Sequence, residues 1–182
     1  MTGIQELSIH SFEELTTLWD DKVRLQNRLP ALRHLTIKDC PKLISLFAEG
    51  DDLKSLQELS ISQCPRLISF PVLPSTLKEL QIRDCDALVS LRTLPDLTLL
   101  NNLEKLCLFS CPSLPYLSSG SGLPPALKEL MVEWCAELKS LIAEEGIKIN
   151  CPSLEYIKIL ECERLKTLPD VMQNNNGLKN LS

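Results

Sequence analysis

Hydrophobic and polar residues alternate along this chain in a phrase of fifteen positions that returns many times. Each copy has an apolar residue at positions 1, 4, 6, 12 and 15, as in LRHLTIKDCPKLISL from Leu32, LQELSISQCPRLISF from Leu56 and LKELQIRDCDALVSL from Leu77. Strict alternation over a few residues, as in the LTI of the first copy, is typical of a short strand with one buried face. The pattern therefore predicts one short strand per copy.

The copies recur at the spacing of a stacked repeat protein. They start near residues 4, 32, 56, 77, 103, 127 and 154, with a truncated copy from 178, so the spacings run from 21 to 28 residues. This spacing is largely that of leucine-rich repeats, in which each coil buries its apolar face against its neighbours. We therefore expect residues 1–182 to form a single α/β solenoid of about seven repeats. Short parallel strands would line its concave face, and the convex side would be mostly irregular.

The stretches between the copies vary in length and carry Gly and Pro, which indicates irregular connections. The stretch that follows the sixth copy predicts a brief helix at Ala143–Gly146. Because neither end of the sequence shows a polar cap over the last coil, we also expect self-association through uncapped ends.

Charge and hydropathy exclude several classes of partner. The chain has a net charge of −5 and no cluster of Lys and Arg, so nucleic acid and anionic membrane surfaces are not expected partners. No stretch approaches the roughly 18 unbroken apolar residues of a membrane span. The first residues, MTGIQELSIHSFEEL, lack the basic and apolar regions of a secretory signal.

Six of the eight cysteines share phrase position 9 and therefore form a column, one per coil. They are Cys40, Cys64, Cys85, Cys111, Cys135 and Cys162. A Cys fits there as a compact apolar group with a weak S–H donor for the backbone of the turn. Buried thiols are the favoured interpretation, with disulfides between column neighbours or a metal site as alternatives. Of the other two, Cys107 is expected on the outward face of its strand and Cys151 in a loop.

The phrase L-x-x-L-x-I-x-x-C-x-x-L-x-x-L-P, with openings such as LPSTLKEL and LPPALKEL, resembles a known family. It is similar to the C-terminal repeats of plant nucleotide-binding leucine-rich-repeat disease resistance proteins of the coiled-coil class. The resemblance implies a module of a cytoplasmic immune receptor that binds a pathogen effector or host protein and helps to hold the receptor inactive. The phosphate loop G-x-x-x-x-G-K-[ST] is absent, so no nucleotide or other cofactor is expected on this chain.

Other repeat proteins share parts of the pattern. Plant F-box proteins also carry a Cys column, which leaves the substrate-binding domain of a ubiquitin ligase adaptor as the alternative function. Their repeats continue into an I-T-D-x-G stretch that this sequence lacks. Bacterial secreted effectors have shorter, more uniform repeats that favour Asn in the column. A truncated repeat array with no activity of its own is the remaining alternative.

Phrase positions 3, 5, 7 and 8 are expected to face outward from the sheet. In the first four copies these residues are small, polar or charged, whereas the later copies carry an apolar group rimmed by charge. This predicted partner-binding patch contains Phe109, Met131, Glu133, Trp134, Tyr156, Lys158 and Leu160. Such clusters mark interaction surfaces. Two alternatives remain: Trp134 could simply pack against the column at the sheet edge, or the patch could be covered by another domain of the parent protein.

Catalysis is not expected. His10 and His34 share the outward face, but no Ser or Cys nucleophile is placed to work with either of them. The chain is therefore predicted to be a non-enzymatic protein-binding module.

Overall fold

The computed structural model describes residues 3–18, 29–46, 53–68, 73–88, 97–118, 122–143, 151–166 and 180–181. Ten short strands lie in these residues. They are β1 (Glu6–His10), β2 (His34–Lys38), β3 (Glu58–Ser62), β4 (Glu79–Arg83), β5 (Lys105–Phe109), β6 (Tyr116–Ser118), β7 (Glu129–Glu133), β8 (Ser140–Ile142), β9 (Tyr156–Leu160) and β10 (Asn180–Leu181).

Eight of these strands form one parallel sheet in the order β1-β2-β3-β4-β5-β7-β9-β10. Their register joins equal phrase positions. Leu35 pairs with Leu59, and Leu59 pairs with Leu80 on the next strand. Each strand of this sheet begins two residues after one of the repeat starts expected from the sequence. A one-residue slip would turn every buried side chain outward, so the alternation itself enforces this register.

The inward face of the sheet is the aliphatic core. Leu35, Ile37, Leu80 and Ile82, at phrase positions 4 and 6, are at most 1% exposed. The side chains at the same positions in β3, β5 and β7 are equally buried. The prediction of a parallel-strand solenoid with Leu and Ile pointing inward is confirmed.

Tight turns lie before and after β2, β3, β4, β5, β7 and β9. The N–H of the Leu at position 1 donates to the carbonyl three residues earlier, as Leu77 does to Pro74 at 3.0 Å. The N–H of the Leu at position 12 donates to the carbonyl of the column Cys, as Leu43 does to Cys40 at 3.1 Å. Both leucines are buried around β2, β3, β4, β5 and β7, so these turns are fixed by the same apolar side chains that fill the core.

The residue at phrase position 8 has a left-handed backbone in seven successive coils. The φ angles lie between 51° and 58° at Ser11, Asp39, Gln63, Asp84, Ser110, Trp134 and Glu161. This conformation costs an L-residue roughly 1–2 kcal/mol. It turns the chain away from the sheet just before the Cys column. Its N–H still extends the ladder, as the N–H of Asp39 does by donating to the carbonyl of Ser62 at 3.0 Å.

Apart from the main sheet, β6 and β8 form a parallel two-stranded sheet of their own. The sequence did not predict this second sheet. In the described residues the helical content is a single 3-10 turn at Leu97–Leu99, so the α/β character of the solenoid is not confirmed. The helix expected at 143–146 is a bend at Ala143, and its remaining residues lie outside the described ones. No helix in the described ranges has the length and apolar character needed to cross a membrane.

Candidate functional site

The candidate site is the outer sheet face, which consists of the side chains at phrase positions 3, 5 and 7 of β1, β2, β3, β4, β5, β7 and β9. In-register pairing arranges these positions in three rows that run across the strands. The first row carries position 3, the second row position 5 and the third row position 7. A ligand lying across the strands would meet one residue of each row per coil, at intervals of about 4.8 Å.

The residues of the predicted patch come together on β5, β7 and β9. Phe109 pairs with Glu133 and Glu133 with Leu160 in the third row, while Met131 pairs with Lys158 in the second row. Tyr156 lies in the first row beside Glu129. Phe109, Met131, Tyr156 and Leu160 are half-buried, so each leaves part of its surface open.

Glu133 does not have the exposed position that the sequence suggested. It is 5% exposed and its Oε1 lies 3.0 Å from the Nζ of Lys158. The hydrogen bond with Glu133 raises the pKa of Lys158, because the ion pair favours the protonated amine. Glu133 is therefore already occupied by Lys158, and it separates Phe109 from Leu160 in the third row. Its contribution to the patch is to fix Lys158 rather than to present a free carboxylate.

Trp134 stands at the rim of the outer sheet face with 53% of its surface exposed. Its φ of 55° directs the chain out of the sheet, and its N–H donates to the carbonyl of Leu160 at 3.0 Å. The backbone under this indole is therefore held by a hydrogen bond to the neighbouring strand. The alternative that Trp134 merely packs against the column at the sheet edge does not agree with so large an exposed fraction of its side chain.

A second feature lies on the earlier strands, and the sequence analysis did not single it out. A shallow open cleft of about 380 Å³ extends from β2 to β5, and Lys38, Ser62, Arg83 and Phe109 line it along the third row. The guanidinium of Arg83 lies over the Phe109 ring, with Cζ 4.6 Å from the ring centroid. The sequence does hold a sign of this cleft, since a small Ser separates two cations at phrase position 7.

The first row is mostly charged, and part of its charge is paired. The Nδ1 of His34 lies 2.9 Å from Glu58, and the Nζ of Lys105 lies 3.4 Å from Glu129. Exposed pairs of this kind contribute little to stability. They do fix the charge pattern that a partner would meet. His34 thus has a carboxylate neighbour but no nucleophile in the arrangement that the described residues show.

The Cys column lies at the edge of the core, where the chain leaves the sheet. Each thiol donates to the carbonyl two residues before it, at 3.4–3.6 Å in the six column members. The same carbonyl accepts the position 8 N–H of the preceding coil, so Cys supplies the second donor at the turn. The eight cysteines are free thiols. No group of three or more His, Cys, Asp or Glu suited to a metal occurs within the ranges described.

Burial also decides the chemistry of the thiols. It raises the pKa of Cys64 to about 11 and that of Cys85 to about 12. Cys107, which was expected on the outward face of its strand, is 1% exposed, and burial raises its pKa to about 11. Cys151, in a loop as expected, is buried as well. Thiols with these pKa values are almost entirely protonated at neutral pH and hence poor nucleophiles and metal ligands.

Known proteins share both the sequence pattern and the fold. Residues 1–65 match the family described as plant disease resistance protein RPS2-like, leucine-rich repeats. A segment of 81 residues is 36% identical to disease resistance protein RPP4 of Arabidopsis thaliana and covers 44% of this chain and 7% of RPP4. The chain thus spans a small part of the length of that relative.

A solved structure shows the same architecture. The leucine-rich repeat domain of the type III effector XCV3220 (XopL) superimposes with a TM-score of 0.64 over 100% of this chain and 60% of that chain. The identity is 22%, so this likeness shows the fold alone. Together with the matches in sequence, it identifies the chain as a leucine-rich-repeat region similar to those of plant disease resistance proteins.

Proposed function

We propose that this chain is the protein-binding recognition module of a cytoplasmic plant immune receptor. Its outer sheet face would contact a pathogen effector, a host protein or another domain of the same receptor. The matches to plant disease resistance proteins support this choice over the ubiquitin ligase adaptor. The observation that carries the proposal is Trp134, a large aromatic side chain that is 53% exposed at the rim of this face.

An indole in this position is suited to anchor a partner. Trp and Tyr are enriched among residues whose truncation weakens protein interfaces most, and they work best when surrounding contacts exclude water. Half-buried Leu160 supplies such surroundings on the neighbouring strand. Because the backbone of Trp134 is held by the carbonyl of Leu160, the rim is already ordered before a partner arrives.

The ion pair between Lys158 and Glu133 contributes to selectivity. The carboxylate of Glu133 is closed to solvent, whereas Lys158 keeps 30% of its side chain exposed. A partner therefore meets a positive group held in place between apolar side chains. Because Glu133 already balances this charge, a partner that covers Lys158 has to satisfy only its remaining N–H donors, so a carbonyl or hydroxyl oxygen that accepts from them is favoured.

The test uses the full-length parent protein in leaf tissue. Phe109→Ala, Trp134→Ala and Tyr156→Ala are combined, and the defence response is measured with and without the pathogen that triggers it. If the face contacts an effector or host protein, the triggered response is lost. If the face contacts another domain of the receptor, the response appears without a trigger.

A matched control removes exposed apolar surface elsewhere. Ile44, Ile68 and Leu99 are 43%, 53% and 60% exposed and do not belong to the three rows of the outer sheet face. Changing all three to Ala should leave both responses unchanged at equal protein levels. A wild-type response from the Phe109, Trp134 and Tyr156 variant, with and without the pathogen, would refute the proposal.

A further inference from the structure

The cleft between β2 and β5 differs from the rest of the outer sheet face in charge. Lys38 and Arg83 lie in the third row on either side of Ser62, two strands apart, so their backbones are about 10 Å from each other. Both side chains are exposed. The short Ser62 leaves space between them, which accounts for the hollow of about 380 Å³ at this place.

Neither cation is neutralised by a protein carboxylate in the described part of the chain. The ion pairs found there involve other residues, and the contact of Arg83 is with the Phe109 ring. Two aspartates are near. Asp39 accepts a hydrogen bond from the hydroxyl of Ser11 at 3.0 Å, on the side of β1 and away from the cleft. Asp84 does line the cleft.

The lining of the cleft therefore carries two positive charges and one negative charge, a surplus of one. That surplus matches a carboxylate, whereas a doubly charged phosphate would be left partly uncompensated. The hydroxyls of Ser60 and Ser62 and the amide of Gln81 offer donors at the floor. The Phe109 ring, one face of which lies under the Arg83 guanidinium, offers its remaining surface as an apolar wall beside them.

We infer that this cleft binds an acidic side chain of a protein partner, with its carboxylate above Ser62 between Lys38 and Arg83. The residue next to that Asp or Glu is apolar and packs against Phe109. The inference rests on the proposed function in that both assign the outer sheet face to protein binding. It names a second subsite, which lies on β2 to β5 and shares Phe109 with the patch, and the chemistry of the segment that occupies it.

A defined peptide tests this directly on the 182-residue chain. The probe is acetyl-Ala-Leu-Glu-Ala amide, and its twin carries Gln in place of Glu. Binding is followed by the NMR shifts of the backbone amides of Lys38, Ser62 and Arg83 at low salt. We expect saturable shifts with the Glu peptide and an affinity about tenfold weaker for the Gln twin, because a charge-assisted hydrogen bond is lost.

Variants assign the effect to the cleft. Lys38→Gln combined with Arg83→Gln should weaken the Glu peptide about tenfold, and raising the salt concentration should weaken it in the wild type. Lys54→Gln combined with Arg66→Gln removes two exposed cations that do not line the cleft and should leave binding unchanged. Equal binding of both peptides, wild-type binding by the cleft variant, or tighter binding of inorganic phosphate than of the Glu peptide would each overturn the inference. These measurements need no immune response, so their failure is separable from failure of the proposed function.

Discussion

The Cys column makes a quantitative prediction at its centre, Cys85. This thiol is fully buried, its Sγ lies 3.4 Å from the carbonyl oxygen of Arg83, and it is flanked by equally buried Cys64 and Cys111. Changing Cys85 to Ala removes one heavy atom from a closed site and leaves that carbonyl without its second donor. Because neighbouring coils hold the surrounding backbone, the gap can close only in part.

Three contributions set the magnitude. Removing an apolar atom comparable to one methylene costs about 0.8 kcal/mol of transfer free energy. A residual cavity of roughly 20 Å³ adds about 0.5 kcal/mol at the cost measured for core cavities. Loss of a weak S–H hydrogen bond adds about 0.5 kcal/mol. We therefore expect Cys85→Ala to lower the free energy of unfolding by about 2 kcal/mol.

The assay is urea unfolding at pH 7 under reducing conditions, followed by circular dichroism. The free energies of wild type and variant are compared only if both show the same dependence of the unfolding free energy on urea concentration. Cys162→Ala is the matched control, since its thiol makes the same contact with the carbonyl of Leu160 at 3.4 Å but is only half-buried. The free energy of unfolding of Cys162→Ala should fall by about half as much as that of Cys85→Ala. A loss below about 0.5 kcal/mol for Cys85→Ala, or equal losses for both variants, would refute the argument from burial.

Two further predictions concern pH and backbone strain. Burial raises the pKa of Cys64, Cys85, Cys107 and Cys151 from 9.0 to about 11 or 12, so the folded state holds these protons more firmly than the unfolded chain. Their contribution to stability is complete below pH 9.0 and is lost as the pH rises towards 12. The urea concentration at the midpoint of unfolding should therefore fall steeply above pH 9.0. A midpoint that stays constant up to pH 11 would contradict this. Gln63 has a φ of 55°, so Gln63→Gly should raise the free energy of unfolding by up to about 1 kcal/mol. Ser62→Gly, at the last residue of β3, should instead lower it by about 0.5–1 kcal/mol. The two urea midpoints measure the difference, and equal shifts in both variants would disprove the role of the left-handed backbone.

Much of the fold could be predicted because its determinants are local and repeated. The alternation in each copy predicts which side chains of a strand are buried, and Leu35, Leu59 and Leu80 do pair in register. The Cys at position 9 was expected to serve the backbone of the turn, and its thiol does donate to a carbonyl. The second sheet of β6 and β8 was not predicted, because three-residue strands leave no periodic pattern.

The candidate site could be predicted only in part. Trp134 is exposed as its phrase position suggested. Glu133 and Cys107 are buried, although the residues two positions away on the same face of their strands, such as Met131 and Phe109, are only half-buried. The alternation along a strand determines on which face of the sheet a side chain lies. It does not determine how much of that side chain is covered by its neighbours on adjacent strands. Lys158 covers Glu133 through an ion pair between two strands, and a single strand's sequence does not reveal this.

The sequence by itself determined the repeat, the inward face of each strand and the position of the turn, because each depends on residues within one copy. Only the tertiary structure decided which side chains of different coils meet. Lys38 and Arg83 are 45 residues apart in sequence, and in-register stacking places them two strands apart over Ser62. The cleft they form exists because a short side chain separates two long ones across strands. That relation depends on the pairing of coils and not on any one of them.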